Sequence, residues 1–143
     1  MALCYNFSGD YMKLIVCLSE NGGMSFGSKR QSRDKIQVEQ MLKLVGENRL
    51  FITDYSAALF ETLPSNVLVS NTPFKSARIG DYCFVENLEI PNLQFEEIVL
   101  YKWNRAYPAT QFFSLNLIKN KTLVSQKEFV GNSHPNICEE VYK

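Results

Sequence analysis

The stretch MKLIVCLSENGGM, residues 12–24, carries the clearest structural statement in this chain. Within it, Lys13-Leu14-Ile15-Val16-Cys17-Leu18 is a nearly continuous apolar run. That is the pattern of a strand buried on both faces rather than one that alternates between core and water. Glu20-Asn21-Gly22-Gly23 follows as a turn.

Working outward, residues 1–11 (MALCYNFSGDY) show no period. Either Met12 is an alternative start and the first eleven residues are a leader, or those residues form an extra edge segment. On the other side, Met24 to Arg33 reads as a polar, flexible loop carrying Lys29, Arg30 and Arg33. Asp34 with Gln37 makes a capping box, and Val38, Met41, Leu42 and Val45 repeat at helical spacing. Gly46 is a natural C-cap, so a helix is predicted over 34–45. Residues 49–53 form the next strand. A short helix then starts near Asp54 and runs through Leu59 and Phe60, with Pro64 ending it. Further strands are predicted at 66–70, 82–85 and 97–101. The remainder alternates as β-structure at 110–118, 122–130 and 137–142. Early strands interleaved with helices, then strands in succession, describe one α/β domain over 12–143 that ends in an antiparallel hairpin.

Composition narrows the function. The 15 basic and 15 acidic residues balance, so no global field favours nucleic acid or an anionic membrane. Cys4, Cys17, Cys83 and Cys138 are far apart and have no histidine at ligand spacing, which fits reduced, structural thiols in a cytoplasmic protein. The early apolar run is too short for a signal or a membrane span. His134 is the sole histidine. No metal cluster and no Ser/His/Asp set can be assembled around it from spacing, and in NSHPN it reads as a hairpin-turn residue with a structural role.

The order of these segments resembles dihydrofolate reductase. MKLIVCLSENGGM looks like that family's first strand and the turn into its mobile active-site loop. LFITDYSAALFETLPSNVLVSN (50–71) has the layout of its strand, short helix, Leu-Pro turn and next strand. EEIVLYKWNRAY (96–107) looks like its strand, Gly-Gly turn and Arg-x-Tyr helix start. TQFF (110–113) resembles its Thr-x-Phe-Pro step, and GNSHPNICEEVYK (131–143) its closing hairpin. The resemblance implies a dihydrofolate reductase-like fold, a central mixed β-sheet flanked by helices that ends in the antiparallel C-terminal hairpin.

The resemblance also implies functional positions, and the chain departs from them on both ligands. Asp34 stands where the family has the acid that helps to protonate the pterin, but the Trp-Pro pair expected before it is replaced by GSKRQSR (27–33). Asp34 is also explained as an N-cap, worth about 1 kcal/mol. The family's Gly-Arg-x-Thr, which meets NADPH phosphates, corresponds to Thr53, Asp54, Tyr55 and Ser56, and an aspartate there repels a phosphate. Leu63-Pro64-Ser65-Asn66 lacks the arginine that would take the folate carboxylate. Lys102-Trp103-Asn104 stands at the glycine turn, where only residues without a Cβ let the backbone approach a pyrophosphate. Trp103 then plugs the groove or makes a new contact surface, and the chain skips the helix and strand that would follow.

Three readings result. The first is a non-catalytic protein of this fold, without cofactor, that acts as a protein-binding module or inhibitor, of the kind carried by a phage or mobile element. Its contacts are Tyr101, Lys102, Trp103, Arg105 and Tyr107, with Lys29, Arg30 and Arg33. The second is a divergent NADPH-dependent reductase acting on a pterin, with Asp34 as proton donor. The third is a nucleic-acid binder that uses the 101–107 cluster, on which bases could stack, and the basic loop 29–33.

Overall fold

The computed structural model describes residues 12–143; the expectation for residues 1–11 lies outside them. In chain order the elements are β1 (Lys13–Leu18), β2 (Gly23–Phe26), β3 (Lys29–Arg30), α1 (Lys35–Val45), β4 (Leu50–Ile52), α2 (Asp54–Ala57) and β5 (Val67–Val69). They continue with α3 (Pro73–Ser76), β6 (Tyr82–Phe84), β7 (Glu97–Lys102), β8 (Gln111–Phe112), β9 (Leu123–Phe129) and β10 (Ile137–Tyr142). Seven strands form one sheet in the order β5-β4-β6-β1-β7-β10-β9. The first five of these run parallel, and β10 and β9 are antiparallel. The fold is thus mixed α/β with an antiparallel C-terminal hairpin.

β1 sits at the centre because its side chains suit a two-sided burial. Leu14, Ile15 and Val16 are all fully buried, each contributing about 1.5–3 kcal/mol of hydrophobic stabilisation. The period of two divides them between two cores. Ile15 joins Val38, Met41 and Val45 of α1, together with Ile52, Phe84, Val99, Tyr101 and Trp103. Leu14, Val16 and Leu18 face the opposite layer, built from Phe95, Phe113, Ala77 and Ile98.

α1 forms as the spacing predicts. Asp34 caps it, its Oδ1 accepting from the backbone N–H of Ile36 at 2.9 Å and of Gln37 at 3.3 Å. Gly46 ends it at φ +62°, its N–H bonded to Leu42 O, a left-handed position that glycine adopts without strain. Gln37, at the expected capping-box position, is buried, and its Nε2 has no hydrogen-bond partner among the described residues.

Four segments differ from expectation. Residues 24–33 are not a loop but the hairpin β2–β3, with Ser25 opposite Arg30 and Phe26 opposite Lys29. Gly27 (φ +55°) and Ser28 (φ +66°) make the two-residue turn with both residues left-handed, as right-twisted strands require. Residues 110–118 are not a full strand. Only Gln111–Phe112 pairs, with β2, and Leu115–Leu117 closes into a 3-10 turn. α3 was not anticipated; Pro73 at its first turn fixes φ for a helix start. α2 stops at Ala57, and the chain reaches Phe60 through turns closed by Leu59 N–H to Ser56 O and Phe60 N–H to Ala57 O.

Candidate functional site

The parallel strands β1, β4, β6 and β7 end at the same edge of the sheet, where open α/β sheets hold their ligands. Residues 53–56 lie there. Thr53 caps α2 by accepting from Ser56 N–H at 3.2 Å. Asp54 is exposed, and its Oδ2 accepts from Asn71 Nδ2 at 2.9 Å. Ser56 is fully buried and donates from Oγ to Glu86 Oε1 at 2.8 Å.

Glu86, immediately beyond β6, organises this end of the sheet. Its carboxylate receives a fork from Arg30, Nε to Oε2 at 2.8 Å and Nη2 to Oε1 at 2.9 Å. Arg30 is pinned further: Nη2 also donates to Tyr55 O at 3.0 Å, and the guanidinium lies 4.2 Å from the Tyr55 ring centroid. Two-pronged pairs of this kind are among the strongest charge-assisted hydrogen bonds. The protein's own carboxylate therefore occupies Nε and Nη2 of Arg30. Glu86→Gln keeps the shape and removes the charge. It is expected to lower stability by about 2 kcal/mol in a urea titration; an unchanged midpoint would show that the fork contributes nothing.

The 29–33 basic run is accordingly not one cradle. Arg30 is consumed by Glu86, while Lys29 and Arg33 are exposed, Arg33 reaching Ala58 O only at 3.5 Å.

The position expected for the glycine turn is corrected by the sheet order. A turn that shares a ligand with residues 53–56 must follow a strand next to β4, and that strand is β6. β7 lies beyond β6 and β1, three strand spacings or about 14 Å from β4. The turn facing residues 53–56 is therefore that at Glu86 and Asn87, not Lys102-Trp103-Asn104. No strand is skipped before residues 110–113. The β6–β7 connection, residues 85–96, instead runs without a helix.

Trp103 fills a different space. It is 3% exposed and stacks on His134, ring centroids 4.6 Å apart and planes inclined by 22°. Tyr101 is fully buried, its OH donating to Glu139 Oε1 at 2.8 Å; burial, then the neighbouring Glu139 charge, pushes its phenol far above the usual range. Lys102 pairs with Glu140 at 3.1 Å, Arg105 is exposed, and Tyr107 turns in towards His134. The five residues do not form one surface, and neither buried ring is available to stack on a base.

The cluster beneath Trp103 is the chemically richest part of the molecule. Asp34 and His134 are 1% exposed or less at their side chains and meet at 2.9 Å, Nδ1 to Oδ2. The Asp34 carboxylate also accepts from Asn132 N–H at 2.8 Å and from Ser133 N–H at 2.7 Å. Burial would raise its pKa, but the donors from Asn132, His134, Ser133 and Gln37 outweigh it and hold the carboxyl well below the usual range. His134 Nε2 lies 3.0 Å from Ser32 Oγ and 2.9 Å from Tyr107 OH. Ser32, Asp34 and His134 are therefore brought together, contrary to the expectation that no such set could be assembled. Only a Ser-x-Asp ahead of the helix and a single distant histidine hinted at it.

Beside this cluster a cleft of about 570 Å³ separates α1 from residues 59–62. Val38, Leu42, Leu59 and Phe60 give it apolar walls, with Arg33 and Ser133 at one end. Glu86, missed from sequence, had one usable signal: a lone carboxylate directly after the apolar residues Tyr82–Val85.

This strand order and edge site define a dihydrofolate reductase-like fold. The similarity is to a dihydrofolate reductase from Enterococcus faecalis complexed with NADP(H) and RAB-propyl, matched with a TM-score of 0.58 over 95% of this chain and 96% of that one, at 11% identity. No protein-family model and no curated protein matches the sequence. No described helix is long and apolar enough to cross a membrane.

Proposed function

We propose that this protein keeps the reductase fold without reductase chemistry and acts in the cytoplasm by binding a protein partner, as a module or an inhibitor. The observation that carries this reading is Glu86. A buried carboxylate held by Arg30 and Ser56 takes up the cation and hydroxyl at the edge where the resemblance puts NADPH phosphates. Exposed Asp54 adds a second negative charge beside it. Asp34 supports the reading too, since a carboxylate saturated with donors and held ionised is a poor proton donor at neutral pH. The apolar cleft beside α1 is left as the place for a partner's side chain.

The second reading, a divergent reductase, is favoured by the matched enzyme having been solved with NADP(H). Calorimetry separates the two. Titration with NADPH and with folate is expected to give no binding heat, and the gene is expected not to complement a reductase-deficient cell. Saturable NADPH binding or complementation would overturn the proposal in favour of the reductase.

A further inference from the structure

We infer that Ser32 is an activated nucleophile that transfers acyl groups from carboxylic esters, with His134 as its general base and Asp34 as the positioning residue. This goes beyond the binding role and does not rest on it. Asp34 is ionised and can only accept, so the proton between it and His134 belongs to Nδ1. With that proton on Nδ1, Nε2 is the ring atom left to accept; Ser32 Oγ stands 3.0 Å from it and Tyr107 OH 2.9 Å, within the reach that proton abstraction needs. The order of exposure suits the roles. Ser32 is half-buried and approachable, whereas His134 and Asp34 are closed off from water. Trp103 covers one face of the imidazole and so favours the imidazolium formed during attack. Tyr107 OH, 3.2 Å from Ser32 Oγ, can donate to the oxygen as it loses its proton.

In the reaction, Ser32 Oγ bonds to the ester carbonyl carbon while its proton passes to His134 Nε2. The ester C–O bond then breaks, and the leaving alcohol takes that proton. Water then gives a proton to the same nitrogen and attacks the acyl carbon; the bond from that carbon to Ser32 Oγ breaks, Oγ takes the proton back from Nε2, and the acid leaves.

The test uses an alkyl fluorophosphonate, whose phosphorus accepts the serine oxygen while fluoride leaves. The folded wild-type protein is expected to gain one adduct, mapped by peptide mass spectrometry to Ser32, while protein unfolded in urea gains none. Ser32→Ala is expected to stay unlabelled, and His134→Gln to react about 100-fold more slowly. An unchanged mass for the folded wild-type protein, an adduct elsewhere, or His134→Gln reacting as fast as the wild type would each overturn the inference. The wild-type measurement stands even if a variant fails to fold.

Discussion

Asp34→Ala is expected to destabilise the protein by about 4 kcal/mol, since removing a buried carboxylate that accepts several hydrogen bonds leaves its donors unsatisfied. The loss is large because the carboxylate joins distant parts of the chain. It caps the start of α1 by accepting from Ile36 and Gln37, and it holds the loop before β10 by accepting from Asn132, Ser133 and His134. Alanine orphans all these donors, and it leaves a gap where Gly131 packs against the carboxylate. A Cβ on Gly131 would lie only 2.5 Å from Asp34 Oδ2. At roughly 3 °C per kcal/mol for a domain of this size, Tm should fall by about 12 °C. The pH dependence has a definite sign. The folded pKa lies below the unfolded one, so this stabilisation is fully present above about pH 4, the unfolded carboxylate value. It is lost as pH falls from there through the folded value. Urea titrations of both proteins should therefore show their difference narrowing below about pH 4. A variant that melts within 2 °C of the wild type, a shift of about 0.7 kcal/mol by the same scale, would refute the clamp.

Trp103→Ala is the second large effect, about 4 kcal/mol by the usual cost of removing a buried Trp. The expectation separates the two sequence readings of this indole. A residue kept for a contact surface is exposed in the free protein, and its removal costs within about 0.5 kcal/mol. A residue that fills space leaves a cavity beneath. Trp103 is among the core residues that include Tyr101, Ile137 and Val141, and its loss also uncovers His134. Trp103→Phe should recover much of the difference by restoring ring area. A Trp103→Ala protein as stable as the wild type in guanidinium chloride would return Trp103 to the surface reading.

Much of the fold was legible because it rests on local rules. The apolar run at Lys13–Leu18 marked a strand with both faces covered, and Asp34 and Gly46 bracketed α1 to within one residue. The β2–β3 hairpin was missed because its turn is Gly27-Ser28, a weaker signal than Asn-Gly or Asp-Gly, between polar residues that share the composition of a loop. The strand expected over 110–118 shrinks to β8 because apolar residues such as Phe112 and Leu115 remain exposed, which makes the alternation there misleading.

The site was less legible than the fold. The position given to Trp103 failed because it counted strands along the chain, whereas a ligand spans strands that are neighbours in the sheet. Local pattern by itself determined the strand β1, the capped helix α1, the closing β9–β10 hairpin and hence the α/β class, since periodicity and caps act within a few residues. Only the tertiary structure decided that β6 inserts between β1 and β4, which brings Glu86 to Arg30 and Ser56. Only it, too, brought His134 to an aspartate 100 residues away. Both outcomes follow from packing a twisted parallel sheet, and the spacing of residues along a chain carries no record of which strand ends lie side by side.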